Sequence, residues 1–222
     1  MIILENQKPI GRGSHREVYV HPDKPDRCLK VMIEDWKKSG RRQRATWLSR
    51  TFRSKRTFHE NLSEFHFSKT QHRRVGDLAG NYFALSYDMV ETDQGEALEV
   101  QLIQDYDGQI SLSMKAYLLK FGLTEELKEA IEYFWDGVMK YGIFLQGRPD
   151  NVSIRQLKNK KCQLIAIDGF GLPQVVPFAK WLKSSRLKFL SKRRTKQDKA
   201  IRRILEAKKA GIDQGSKGMR LD

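Results

Sequence analysis

The stretch Gly11-Arg12-Gly13-Ser14-His15-Arg16-Glu17-Val18-Tyr19, with Cys28-Leu29-Lys30-Val31 shortly after it, decides how this chain is read. Ile10 on one side and Val18-Tyr19-Val20 on the other are apolar strand formers, so the glycines read as a turn between two strands. Glycine lets a backbone bend tightly and come close to a phosphate, whose charge backbone N–H groups can meet. A plain hairpin carries the same signature, and the next strand narrows the choice. Leu29, Val31 and Ile33 alternate with Lys30 and Met32, which turns Lys30 away from the apolar face. A lysine so placed, under a Gly-rich turn, reaches the phosphates of a nucleotide; the alternative is an ordinary solvent-facing strand lysine.

His21 to Arg27 contains Pro22 and Pro25 and reads as a loop. Residues 59–71 read as a helix with Leu62, Phe65 and Phe67 as its apolar positions. Tyr82 to Glu91 and Leu98 to Ile103 read as strands joined at Asp93-Gln94-Gly95, and Leu112 to Phe121 as a short helix. The clearest helix begins after Thr124, a good N-cap, with Glu125 and Glu126 favouring the positive end of its dipole. Its apolar face runs Leu127, Ile131, Phe134, Trp135, Val138 and Tyr141. Val152 and Ile154 form one short strand, and Leu164, Ala166 and Ile167 another, with the turn at Asn159. Residues 178–222 read as helical and basic, loosening from Gly211. This order of elements is α+β, in two lobes. Residues 1–106 form a β-rich lobe with a basic insert at 34–59, and residues 107–222 a helical lobe with a basic tail.

Asn151 opens one of the two short strands and Asp168 closes the other. Small oxygen-bearing side chains at such neighbouring stations suit Mg²⁺, which is hard and usually held by few protein groups plus phosphates. Asn and Asp are also ordinary turn residues, and that reading stands beside the first.

Turn, lysine, asparagine and aspartate follow one another in the order of a protein kinase. With Val90-Glu91-Thr92-Asp93-Gln94-Gly95, Arg148-Pro149-Asp150-Asn151-Val152 and Ile167-Asp168-Gly169-Phe170-Gly171-Leu172, the chain resembles the YrbL family of bacterial proteins. That family is associated with the PhoP regulatory network and has a kinase-like fold. The resemblance implies a compact bilobal kinase-like fold, with an antiparallel N-terminal sheet and a shortened helical C-terminal lobe. It implies that Gly11, Gly13 and Val18 border bound ATP, that Lys30 pairs with its phosphates, and that Asn151 and Asp168 hold Mg²⁺. It also implies a helix carboxylate that orients Lys30, for which Glu64 is the choice and Glu60 the substitute.

The departures bear on catalysis. Five residues before Asn151, where an active kinase has its aspartate base, stands Gln146, which accepts no proton at neutral pH. Arg148 replaces the lysine two residues on, keeping the charge with a different geometry. Arg16 stands where the loop's third glycine belongs. A base contributes roughly 10²–10⁴-fold, so its loss need not end catalysis, and Asp150 is a nearby substitute. Only 54 residues (222 − 168) follow Asp168, which favours a small-molecule or sugar acceptor over a peptide.

Composition sets the frame. A chain of 222 residues with 39% hydrophobic residues can bury a real core. There is no long apolar run and no signal-like N-terminus, and the two cysteines, Cys28 and Cys162, are isolated, so the cytoplasm is expected. A net charge of +15 attracts anionic partners. Arg41 to Arg56 interleaves cations with Trp47 and Phe52, and Lys188 to Arg194, Arg202-Arg203 and Lys208-Lys209 add to the charge. Nucleic acid, anionic lipid headgroups and a merely solvated face all fit these stretches. Three functions remain open: an atypical phosphotransferase, a pseudokinase that uses nucleotide as a switch, and a basic binding module on a degenerate kinase fold.

Overall fold

The hairpin built on Gly11–Tyr19 is the start of an antiparallel sheet. A computed structural model describes residues 1–13, 15–33, 60–170 and 183–212. The expectations for the basic insert 34–59, for Gly171-Leu172 and for the last residues lie outside these. The sheet contains β1 (Gly11–Arg12), β2 (Arg16–His21), β3 (Lys24–Met32), β4 (Ser86–Thr92) and β5 (Gly95–Gln101) in the order β1-β2-β3-β5-β4. Leu4, Tyr19, Leu29, Val31 and Ala97 form its apolar cluster. Lys30 lies opposite Val18 on one side and Leu98 on the other, off that cluster. The Asp93 carboxylate accepts the backbone N–H groups of Leu4 and Glu5 and ties the N-terminus to the β4–β5 turn.

The loop expected over His21–Arg27 is shorter, because β3 already begins at Lys24. The register slips between Val20 and His21, so Pro25 falls in a bulge where no partner on β2 needs its missing N–H. Helix α1 (Glu60–Val75) runs beyond residue 71. Its buried side is mostly polar, with Asn61, Glu64, Ser68 and Gln71 followed by Val75, while Leu62, Phe65 and Phe67 are half-buried. The expected apolar face is therefore corrected. Asn61, Glu64 and Ser68 are inside because each bonds a group of the sheet.

The residues group into two compact units. Among the described residues, one contains those of Met1–Thr70 and Leu85–Leu102, the other those of Gln71–Ala84 and 103–212. The second unit holds α2 (Met114–Phe121), α3 (Glu125–Tyr141), the hairpin β6 (Val152–Gln156) and β7 (Cys162–Ala166), and α4 (Lys183–Lys209). The Thr124 hydroxyl accepts the Leu127 N–H at 3.3 Å, and Gly142 closes α3 in the left-handed conformation. Leu127, Ile131, Phe134, Trp135 and Val138 of α3 are buried. Gly137 is needed on that helix, because a Cβ there would overlap the Tyr82 ring. Tyr82 to Ala84, expected as the start of β4, instead pair with β7 at Ala166. No helix among the described residues is long and apolar enough to cross a membrane.

Candidate functional site

In the first unit a carboxylate is shared by two cations. The Lys30 ammonium donates to Glu64 Oε1 at 2.5 Å, and the Arg16 guanidinium donates to Glu64 Oε2 at 2.6 Å. The side chains of Lys30, Arg16 and Glu64 are only 8%, 10% and 7% exposed. Asn61 locks the arrangement from one turn away, because its amide donates to the Lys30 carbonyl at 2.7 Å and accepts from Arg16 at 3.2 Å. The strand thus fixes the root of Lys30 and α1 fixes its tip. Glu60, the substitute, sits one turn earlier and goes to His15 at 3.3 Å.

Val18 stands directly opposite Lys30 and also pairs with Gly11, so these three lie in one row across the sheet. Gly13 donates its N–H to the Arg16 carbonyl at 2.8 Å and closes the turn. Its backbone is not left-handed, and an added Cβ would make only ordinary contact with the Arg16 carbonyl at 3.6 Å. Among the described residues of the hairpin, nothing demands glycine there. Burial pushes the neighbouring Cys28 thiol up to about 12, with Lys30 opposing and Glu64 reinforcing the shift, so no reactive thiolate stands beside the ion pair.

In the second unit the segment Gln146–Asn151 crosses the end of the β6–β7 hairpin. The Gln146 N–H donates to the Gly169 carbonyl at 2.9 Å. The Asn151 carbonyl accepts from Ile167 at 2.9 Å, with Asp168 N–H 3.4 Å away. Asp168 Oδ1 accepts the Gly169 N–H at 2.6 Å. Gly169 has φ +76°, and a Cβ there would lie 2.6 Å from the Asn151 amide nitrogen and 3.4 Å from Gln146 Cβ. Asn151, Asp168 and Gln146 therefore converge on one glycine, which is what lets them approach. Arg148 is 66% exposed, and Asp150 lies 3.9 Å from both Lys115 and Arg148.

Two contributors escape a reading of the sequence. Arg16 stands in the place of the loop's third glycine, yet it is the second partner of Glu64. Gln197, inside the charged run of α4, is buried and donates to the Gly147 carbonyl at 2.6 Å while accepting the Trp135 indole N–H at 2.7 Å. Gly147 has φ +63°, and a Cβ there would strike Trp135 at 2.7 Å. No sequence pattern marks Gln197; its partners lie 50 and 62 residues away.

The family model for PhoP regulatory network protein YrbL matches residues 2–205. The chain belongs to the YrbL family. Among YrbL relatives, the uncharacterized protein YrbL of Escherichia coli K12 is 24% identical over 190 residues, covering 82% of this chain and 80% of its own. The Shigella flexneri YrbL matches equally. Among solved structures, the kinase domain of Mycobacterium tuberculosis PknI is similar at 14% identity and TM-score 0.42, over 97% of this chain and 77% of that one. A cysteine-to-alanine mutant of the same kinase domain aligns at TM-score 0.41 and 14% identity, over 75% of this chain and 59% of that one. WbdD, solved with the kinase inhibitor LY294002, aligns at TM-score 0.37 and 13% identity, over 83% and 44% of the two chains.

Proposed function

We propose that this YrbL-family chain binds ATP with Mg²⁺ and serves a regulatory role. Lys30 would meet the phosphates under Gly11 and Gly13, and Asn151 and Asp168 would take the metal. The observation that carries this reading is the buried Lys30–Glu64 pair. Buried ion pairs cost several kcal/mol per ion in desolvation and often stabilise no better than apolar side chains, so stability alone is a poor reason for one. A lysine held at both root and tip is what phosphate recognition needs, because positioning dominates phosphoryl chemistry. Gly13, which no described residue of the hairpin requires to be glycine, fits close approach of a phosphate. A carboxylate and an amide carbonyl are hard oxygen donors, and their small number suits Mg²⁺, which keeps phosphate and water ligands.

Gln146 favours a second form of the same reading, in which nucleotide binding acts as a switch without transfer. The two forms separate on turnover, and both require binding. Calorimetric titration with ATP, with and without Mg²⁺, tests the shared part. Wild type binds only with Mg²⁺, and Glu64→Gln weakens binding by about tenfold because Lys30 loses its ionic tether. Equal affinity in wild type and Glu64→Gln would remove the lysine from the site.

A further inference from the structure

Helix α4 carries a basic face that the nucleotide reading does not use. Arg193, Lys196, Ala200 and Arg203 follow one another at steps of three and four, so they share one side of the helix. That side, with Lys199, borders a cavity of about 660 Å³ whose other walls are Lys115 of α2 and the segment Gln146–Asp150. Six cations line it, from Lys115, Arg148, Arg193, Lys196, Lys199 and Arg203. One carboxylate, Asp150, lines it with them, and it lies 3.9 Å from both Lys115 and Arg148.

Gathering like charges around a concavity is unfavourable unless an anion answers them, and concave walls focus the field. The volume falls in the range of about 300–1,000 Å³ that small-molecule sites occupy. Two features narrow the anion. Three of the cations are arginines, whose planar fork matches phosphate oxygens in pairs. Pro149, Ala200 and Ile204 add apolar lining, which suits the carbon skeleton of an organic molecule better than a bare inorganic ion.

We propose that this cavity binds a small organic molecule carrying several phosphate groups. Its residues all belong to the second unit, and the proposal does not depend on nucleotide binding. A ligand there lies against Gln146 and Asp150, the same segment that carries Asn151.

The test uses the full chain without nucleotide or Mg²⁺, titrated calorimetrically with fructose 1,6-bisphosphate and with myo-inositol hexakisphosphate. Saturable one-to-one binding is expected. Lys196→Gln and Arg203→Gln, both at exposed positions that leave the fold intact, each weaken it by about tenfold. Arg202→Gln, an exposed cation of the same helix outside the cavity lining, changes it by less than about twofold. Lys30→Ala leaves it unchanged, which separates this site from the nucleotide reading. Absence of binding by both ligands would overturn the proposal, as would equal losses in all three α4 variants. A ten-nucleotide single-stranded RNA that binds more tightly than the hexakisphosphate and loses affinity in the same two variants would overturn it in favour of nucleic acid.

Discussion

Gln197→Leu removes one amide and leaves two buried groups without partners. The Trp135 indole N–H now donates to Gln197 Oε1 at 2.7 Å, and the Gly147 carbonyl accepts from Gln197 Nε2 at 2.6 Å. Trp135 is 0% exposed and Gln197 1%, so water has little access to either orphan. Leucine is close to glutamine in size, so the change adds little cavity cost and reads the polar loss alone. Each orphaned group costs about 1–3 kcal/mol, which puts the destabilisation at about 2–6 kcal/mol. Urea unfolding at pH 7 measures it, with an unchanged slope expected. The pair can be isolated by a double-mutant cycle with Trp135→Phe. Trp135→Phe should cost about 1 kcal/mol less in the Gln197→Leu background than in wild type, because the indole N–H has already lost its acceptor. A Gln197→Leu variant within about 0.5 kcal/mol of wild type would refute the claim that Gln197 pins the Gln146–Asn151 segment to α3 and α4.

Two further outcomes follow from other sites. Gly13→Ala should leave thermal stability within about 0.5 kcal/mol of wild type, because the added Cβ finds room. It should still weaken Mg²⁺-ATP binding, and a loss of stability without a loss of affinity would show the glycine to be structural. Glu99 gives a pH dependence: burial pushes its carboxyl up, but bonds from Lys24 and Arg27, each at 2.9 Å, outweigh that and hold it below its ordinary value. A carboxyl depressed in the folded state stabilises above its unfolded value of about 4.3, and that stability is lost as pH falls through the folded value. Glu99→Gln should therefore cost about 1–2 kcal/mol at pH 7 and progressively less below about pH 4. A difference from wild type that stays constant down to pH 3 would contradict this.

Where local signals are strong, the sequence is enough. Thr124 and the spacing from Leu127 to Val138 fix α3, because a cap and an apolar stripe agree. Val18-Tyr19-Val20 and the alternation around Lys30 place β2 and β3 for the same reason, whereas Gly11 and Arg12, read as part of the turn, are β1 itself, paired with Val18 and Glu17. Other features depend on partners far along the chain. Glu60 and Glu64 are one helical turn apart on the same face, so spacing alone does not choose between them. The choice comes from the turn before β2, whose His15 goes to Glu60, and from β2 and β3, which send Arg16 and Lys30 to Glu64. The polar inner face of α1 defeats an apolar-stripe reading because its partners are strand cations and backbone groups rather than apolar side chains. Gln197 sits among lysines and arginines and looks like one more solvated position, until Trp135 and Gly147 are brought to it. Pro25 argues for a loop by every local rule, and the bulge that admits it is a property of the pairing.

Nucleotide binding at Lys30 and Asp168 is read from the thermal midpoints of the wild type, Lys30→Ala and Asp168→Asn, each with and without Mg²⁺-ATP. At a ligand concentration near 100 times the dissociation constant, binding stabilises by about 2.7 kcal/mol. For a chain of this length that is a shift of about 5–11 °C. The wild type is expected to shift by this amount only when Mg²⁺ is present, and neither variant to shift. No shift of the wild type at millimolar Mg²⁺-ATP, with both variants folded, would contradict it.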